Sequence, residues 1–237
     1  MINKQSNVYT VVYITAMVIL VGAALAFTSM SLKDRQQENA NADKMKQILQ
    51  SVHVVSDRAT VVDDYNKYIT STLVVNDKGE TVEGENAFSI NVAAEAKKPY
   101  NERLLPVYVC NLPEAGTKYI LPLSGMGLWG AIWGYVALND DATTIYGAFF
   151  DHASETPGLG AEIAKPEFQN QFDGKLMMKN GEFLPVTVVK KGQKPEGDED
   201  YVDGISGGTI TSKGVGAMLD DCLRPYKAYL ESISKQK

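Results

Sequence analysis

The sequence is poor in residues that bind metals. Its 237 residues include only two cysteines and two histidines. Cys110 and Cys222 show no CxxC or Cys/His spacing, and His53 and His152 lie 99 positions apart. No zinc or iron–sulfur site can therefore be read from the chain. We interpret both cysteines as small buried hydrophobic residues. The alternative is a disulfide between them, which is possible only outside the cytosol.

An excess of basic residues is also missing. The chain has 23 Lys and Arg against 29 Asp and Glu, a net charge of −6. Lys4 is the one basic residue before Lys33, so the part after residue 30 has 22 basic and 29 acidic side chains, about −7. Because nucleic acids attract basic surfaces, nucleic acid is not an expected partner. The hydrophobic fraction of 44% is typical of a folded chain rather than a disordered one.

Charge is absent from one long segment, residues 8–27. Its length matches the roughly 20 apolar residues that cross a bilayer, which predicts a transmembrane helix after a short N-terminal segment, residues 1–7. The alternative is a cleaved signal peptide, since Ala24-Leu25-Ala26 is a small-x-small triplet. The apolar run is longer than the usual signal core of about 7–15 residues, which favours an uncleaved anchor. The few flanking basic residues weakly favour a cytoplasmic C-terminal domain.

The rest of the chain divides into three parts that differ in composition and pattern. Residues 28–51 are polar with a weak helical pattern, which predicts a linker that becomes a helix. Residues 52–118 contain β-rich runs such as 72–75 and a turn signal at 76–79, typical of strands and hairpins in an α+β portion without readable chemistry. Residues 119–237 are richer in glycine-containing motifs.

The stretch 203–212 combines three glycines with four hydroxyl side chains and precedes apolar residues at helical spacing. We expect Ser212 to be the N-cap of this helix and Pro225 to kink or end it near Cys222. The N–H groups and the positive dipole end of such a helix favour an anion such as phosphate in the loop. The alternative is a turn with a cap and no ligand.

Two glycine-rich stretches lie upstream. Residues 125–134 contain four glycines interleaved with both tryptophans, which fits either a wall beside a flat ligand or a bulged core strand. Residues 151–161 contain a Pro-Gly turn, and Glu155 and Thr156 place polar groups beside an exposed leucine. We interpret His152 as ordering its own loop by hydrogen bonding rather than as an acid or base.

Residues 181–192 predict a hairpin that ends in the basic pair Lys190 and Lys191. Either lysine has the length to reach a phosphate or a flavin carbonyl, although a surface lysine pair is the commoner arrangement. The acidic residues 196–200 that follow are interpreted as a solvated turn.

With these segments placed, the chain resembles the NqrC family of subunits of the Na+-translocating NADH:quinone oxidoreductases (Nqr). The run Asp203-Gly204-Ile205-Ser206-Gly207-Gly208-Thr209 is similar to that family's flavinylation motif, in which the last threonine carries FMN through a phosphoester bond. Residues 152–160 match a second signature of such FMN-binding domains. Residues 125–130 match a third, which favours NqrC over RnfG, its counterpart in the related Rnf complex. Gly208 departs from the family, which usually has alanine there, and makes the loop less fixed.

The resemblance implies an α+β fold: a single N-terminal transmembrane helix followed by an extracytoplasmic mixed α/β domain, with residues 119–237 as its FMN-binding portion. It implies a flavoprotein, and through the phosphoester a phosphoprotein, with no catalytic residue of its own and no metal. Thr209 is the expected attachment residue. The other expected FMN contacts are Ser206, Gly207, Gly208, Thr211, Glu155, Thr156, Gly158, Leu159, Gly160, Leu128, Trp129 and Lys190.

The resemblance also implies partners and a place in the cell. The chain is expected to join a Na+-pumping complex of six subunits in the bacterial inner membrane, beside a second FMN-bearing membrane subunit. Against the weak charge bias, the resemblance implies a cytoplasmic N-terminus, residues 1–7, and a domain on the outer face. A separate FMN transferase using FAD is expected to attach the flavin. Electrons from NADH would pass through this chain towards quinone, with NADH bound elsewhere, because the loop lacks the context of a GxGxxG dinucleotide fold. Three alternatives stay open: the RnfG component of an Rnf-type complex, a membrane-anchored flavoprotein outside such a pump, and an anchored structural domain without cofactor.

Overall fold

The computed structural model describes residues 6–179 and 181–235, which fall into two compact units, Met1–Lys44 and Met45–Lys237. Helix α1 (Asn7–Gln50) begins in the first unit. Among the described residues, α1 is the one helix that is long and apolar enough to cross a membrane. The large apolar side chains of residues 8–27 are exposed. The predicted N-terminus, residues 1–7, lies mostly outside the described residues.

The predicted linker that becomes a helix at residues 28–51 is helical from its start to Gln50, so the helix is confirmed and the non-helical linker is not. This stretch contains no glycine or proline, so nothing in it interrupts the helix despite its polarity. Ile48 and Leu49 at the end of α1 are fully buried in the second unit. There Gln47 accepts a hydrogen bond from the indole N–H of Trp133 at 3.1 Å.

The second unit is built on a five-stranded antiparallel sheet in chain order. Its strands are β1 (Ile69–Val75), β2 (Leu105–Leu112), β3 (Gly116–Met126), β4 (Ala131–Leu138) and β5 (Ile145–His152). The predicted strand at residues 72–75 lies in β1, and the turn at residues 76–79 is confirmed by a hydrogen bond from Gly79 N–H to Asn76 O. Helix α2 (Val61–Tyr68) precedes the sheet, and the short α3 (Val92–Glu95) lies between β1 and β2.

Small elements follow the sheet: α4 (Pro166–Gln169), then β6 (Met178–Lys179) paired with β7 (Glu182–Phe183), and β8 (Thr187–Val189) paired in parallel with β9 (Tyr201–Asp203). The predicted hairpin over residues 181–192 was therefore wrong. Pro185 lies between β7 and β8, and a proline cannot donate to a ladder, so each strand pairs with a different neighbour.

Helix α5 (Thr209–Leu223) packs along β3, and Val215, Met218 and Leu219 bury its apolar side against the core. Burying each such side chain contributes roughly 1.5–3 kcal/mol. The helix ends at Leu223, a 3-10 turn contains Pro225, and α6 (Lys227–Ser234) begins after it. The predicted break at this proline is confirmed.

Both cysteines are buried free thiols, as interpreted from the sequence. Burial raises the pKa of Cys110 and that of Cys222 to about 11. Because the thiolate is the reactive form, both residues are inert at neutral pH.

Candidate functional site

The loop after β9 is held in shape by two glycines. Gly207 has φ +80°, a left-handed conformation that favours glycine, and a Cβ there would meet the Leu159 side chain. A Cβ on Gly204 would lie 2.9 Å from the Val189 carbonyl oxygen. The loop therefore depends on glycine both for its turn and for its close approach to β8.

Gly208, not Ser212, is the N-cap of α5, so the predicted cap was wrong. The helix starts one turn earlier because the Gly208 carbonyl already accepts the Ser212 N–H at 2.9 Å. The Ser212 hydroxyl is buried and accepts the Ile205 N–H at 2.9 Å. Ser212 thus fastens the loop from inside the helix instead of capping its end.

Thr209 is the first residue of α5, and its side chain is exposed. The first turn of a helix leaves its N–H groups without intrahelical acceptors, and among the described residues no side chain caps this one. The hydroxyl of Thr209 consequently lies at a helix end that favours an anion.

Thr211 differs sharply from Thr209. It is 1% exposed, and its hydroxyl donates to Glu155 Oε2 at 2.5 Å. The hydroxyl is therefore already used in a buried hydrogen bond.

Glu155 joins three segments. It is 5% exposed, and besides Thr211 its carboxylate accepts the backbone N–H of Trp129 at 2.8 Å and a further bond from Gly130 N–H. Burial opposes ionisation, but these hydrogen bonds outweigh it and hold the pKa of Glu155 below its ordinary value. The ionised carboxylate ties the β3–β4 turn and its own loop to α5.

The loop around Glu155 is ordered as the sequence indicated. His152 Nδ1 accepts the Glu155 N–H at 3.2 Å, which confirms the interpretation of His152. A Cβ on Gly160 would collide with Glu155 and Thr211, so this glycine permits the close approach of the loop to α5.

An apolar cleft of about 210 Å³ opens at this junction. Exposed Trp129, Leu128, Leu159 and Ile210 supply its hydrophobic surface. Residues 127–130 form the turn between β3 and β4, whereas Gly125 lies in β3 and Gly134 in β4, so the strand interpretation of this stretch holds for its two ends and not for the turn. The cleft brings together ten predicted contacts: Leu128, Trp129, Glu155, Thr156, Leu159, Gly160, Gly207, Gly208, Thr209 and Thr211.

Thr209 also lines a second cleft, of about 470 Å³. Among the predicted contacts, Lys190 and Ser206 line this cleft and not the apolar one, while Gly207 and Thr209 line both. Gly158 lines neither; its φ of +76° forms the loop's turn, and its N–H donates to Glu162. We refer to the two spaces as the apolar cleft and the lysine cleft.

Ile210 and Lys213 are among the cleft residues that sequence reasoning missed. Ile210 directly follows Thr209 as an apolar residue outside the core spacing of α5, and this was the available signal. Lys213 lies four residues after Thr209, which places both on one helix face.

Comparison with known proteins decides the family. Residues 127–224 match the model of the FMN-binding domain. The NqrC protein of the Na(+)-translocating NADH-quinone reductase of Vibrio anguillarum is 31% identical over 233 residues, covering 92% of this chain and 91% of the relative. The chain belongs to this NqrC family. The Haemophilus ducreyi member is 31% identical over 230 residues, covering 90% of this chain and 88% of that protein.

Solved structures agree with this assignment. The crystal structure of the family member from Parabacteroides distasonis is 48% identical, has a TM-score of 0.78, and is matched over 84% of this chain and 96% of that chain. The Shewanella oneidensis NqrC structure, at 23% identity and a TM-score of 0.67, matches 83% of this chain and 99% of that chain and supports the fold. The family and the mixed α+β fold expected from the sequence are thereby confirmed.

The two clefts fit a flavin mononucleotide in chemistry. A flat aromatic ring requires apolar walls, which the apolar cleft has, and a phosphate requires cations and N–H donors, which the lysine cleft and the start of α5 have. Thr209 is the hydroxyl-bearing residue that lines both.

Proposed function

We propose that this chain is the electron-carrying NqrC component of a Na+-translocating NADH–quinone reductase, with FMN held by a phosphoester bond to Thr209. Membership of the NqrC family and the match to the FMN-binding domain support this function. The observation that carries it is the position of Thr209, exposed at the first residue of α5 and at the meeting point of the two clefts.

The neighbouring hydroxyls are poorer acceptors for the flavin phosphate. Those of Thr211 and Ser212 are buried and already hydrogen-bonded. Ser206 is exposed, but it lines the lysine cleft and not the apolar one. Thr209 is the position from which a ring in the apolar cleft and a phosphate at the helix end are both within reach.

FMN, when bound, supplies the electron-carrying chemistry, and the protein supplies position and electrostatics. Leu128, Trp129 and Leu159 offer the apolar surface that would pack against the ring, and Thr156 offers a hydroxyl at its edge. The diester would keep one negative charge, which the N–H groups at the start of α5 and Lys190 would stabilise. Glu155 acts through other residues, because its carboxylate is engaged in holding the walls together.

A threonine hydroxyl is a weak nucleophile without an adjacent base. Within the described residues, no histidine or carboxylate donates to or accepts from the Thr209 hydroxyl. A separate FMN transferase that uses FAD is therefore proposed to make the bond.

The proposed location is the bacterial inner membrane, anchored by α1 with the second unit on the outer face. Helix α1 supports anchoring by its length and composition. In this arrangement electrons would arrive from membrane-embedded members of the complex of six subunits, and leave to its second FMN-bearing member on the way to quinone.

In-gel fluorescence tests the attachment. The full chain, made in cells that contain the transferase, is separated on a denaturing gel and viewed under ultraviolet light beside Thr209→Ala and the matched control Ser206→Ala. Wild type and Ser206→Ala should fluoresce, and Thr209→Ala should be dark. A dark wild-type band, or a fluorescent Thr209→Ala band, contradicts the proposal.

Affinity purification in mild detergent tests the assembly. Recovery of the other subunits of a Na+-translocating NADH–quinone reductase is expected. Recovery of Rnf subunits, or of a fluorescent protein without polytopic partners, would instead support one of the two flavoprotein alternatives.

A further inference from the structure

The lysine cleft has a charge opposite to that of the chain. Lys190, Lys191 and Lys213 line it, and no aspartate or glutamate is among its lining residues. The chain after residue 30 carries about −7. A cleft lined by three ammonium groups and no carboxylate favours anions, although Lys191 also lines an adjoining cleft that contains Glu162, Glu167 and Asp203.

The three lysines come from opposite walls. Lys213 lies on α5 four residues after Thr209, so both side chains share a helix face. Lys190 and Lys191 follow β8, which forms the facing wall. All three side chains are exposed, and across residues 6–179 and 181–235 none of them forms an ion pair.

Strand β8, which ends directly before Lys190, is hydrogen-bonded to β9 and to the glycine-rich loop that follows β9. The Gly204 N–H donates to the Val189 carbonyl at 2.6 Å, and β8 pairs in parallel with β9, which leads into the loop. The absence of a side chain at Gly204 permits this approach. Backbone hydrogen bonds therefore hold the end of β8, directly before Lys190, against the loop that leads to Thr209.

A flavin dinucleotide carries two linked phosphates between its two halves, whereas the attached mononucleotide carries one. The charge of three lysines exceeds the single negative charge of a diester, and the three lysines line the lysine cleft and not the apolar cleft. With the flavin half directed to the apolar cleft, the lysine cleft, which Thr209 also lines, is open to the phosphates between the two halves.

We propose that Lys190, Lys191 and Lys213 bind the diphosphate of the flavin dinucleotide while its flavin half is transferred to Thr209. The Thr209 oxygen forms a bond to the flavin-side phosphorus, and the bond from that phosphorus to the bridging oxygen breaks. Adenosine monophosphate leaves with the bonding electron pair, and the hydroxyl proton passes to a base of the transferase. This inference rests on the proposed attachment at Thr209.

The experiment measures the rate of attachment. The full chain, produced without transferase and purified in detergent, is mixed with FAD, Mg²⁺ and transferase, and in-gel flavin fluorescence is followed over time. At saturating acceptor protein, the triple variant Lys190→Gln/Lys191→Gln/Lys213→Gln should be labelled about tenfold more slowly than wild type, because charge-assisted contacts to phosphate are lost. The single Lys→Gln variants should be labelled at rates between those of wild type and the triple Gln variant. The triple Lys→Arg variant should recover most of the wild-type rate.

Lys194→Gln is the matched control, since Lys194 is exposed and does not line the cleft; its rate should equal that of wild type. Equal rates for wild type and the triple Gln variant would overturn the inference. So would a rise in the KM for acceptor protein without a change at saturation, because the lysines would then contact the transferase. A wild-type protein that is never labelled instead refutes the attachment at Thr209, so the two failures are distinguishable.

Discussion

Removing the carboxylate of Glu155 is expected to destabilise the second unit by about 3 kcal/mol. In Glu155→Ala the buried Thr211 hydroxyl loses its acceptor, which costs about 1–3 kcal/mol. The N–H groups of Trp129 and Gly130 also lose their acceptor, but Trp129 is 67% exposed, so water replaces part of that bonding. These contributions together give the value of about 3 kcal/mol.

The assay is unfolding of the full chain in detergent, followed by circular dichroism in urea or on heating. For a unit of this size about 3 kcal/mol corresponds to a fall in Tm of roughly 6–12 °C. Glu155→Gln should cost about 1 kcal/mol, because the amide keeps one acceptor and the Thr211 hydroxyl can rotate to accept from its NH₂ group. Glu167→Ala, at an exposed glutamate, is the control and should change stability by less than about 0.5 kcal/mol.

The pH dependence follows from the sign of the shift. The pKa of folded Glu155 lies below its ordinary value, so its stabilising contribution is fully present above the unfolded pKa of about 4.3 and is lost as pH falls through the folded pKa. The difference between wild type and Glu155→Gln should be constant from pH 7 to pH 5 and should narrow below about pH 4. A loss in Glu155→Ala no larger than that in Glu167→Ala would refute the reasoning.

Three further predictions concern the loop and the thiols. Gly208→Ala should still be flavinylated, and its free energy of unfolding in a urea titration should fall by less than about 1 kcal/mol. The reason is that φ is −101° and that the new Cβ, 3.1–3.2 Å from Ile205, Gly160 and Leu159, requires small shifts. A dark band in the gel would contradict this. The free energy of unfolding of Gly207→Ala should be lower by about 1–2 kcal/mol in the same titration, because alanine is strained at φ +80°. An unchanged urea midpoint would contradict this. On intact cells a membrane-impermeant maleimide should label Lys194→Cys, as expected for a domain on the outer face. It should not label wild type, since both native thiols are buried and have a raised pKa. Labelling of Lys194→Cys only after lysis would place the domain in the cytoplasm.

Features with a local cause were predictable from the sequence. The apolar run at residues 8–27 lies in a helix because its length and composition suit one, and Pro225 ends α5 because proline lacks an N–H. The glycine-rich loop before α5 was also evident, since three glycines and a helical repeat stand side by side. Each of these depends on neighbours within a few residues.

Tertiary structure decided what depends on distant neighbours. The hairpin predicted over residues 181–192 failed because β8 pairs with β9, a strand that begins twelve residues after β8 ends. Ser212 failed as a cap because its hydroxyl is taken by Ile205 across the loop. The pattern of residues within a short segment does not show which distant strand or backbone group that segment will contact.

The distinction between Thr209 and Thr211 shows the same division. In sequence both are threonines of one motif, two positions apart. In the fold, Glu155, more than fifty residues upstream, takes the Thr211 hydroxyl into a buried hydrogen bond and leaves Thr209 exposed between two clefts. The sequence by itself determined that a hydroxyl-rich loop opens a helix; only packing of the β3–β4 turn and the Glu155 loop against that helix decided which hydroxyl is accessible.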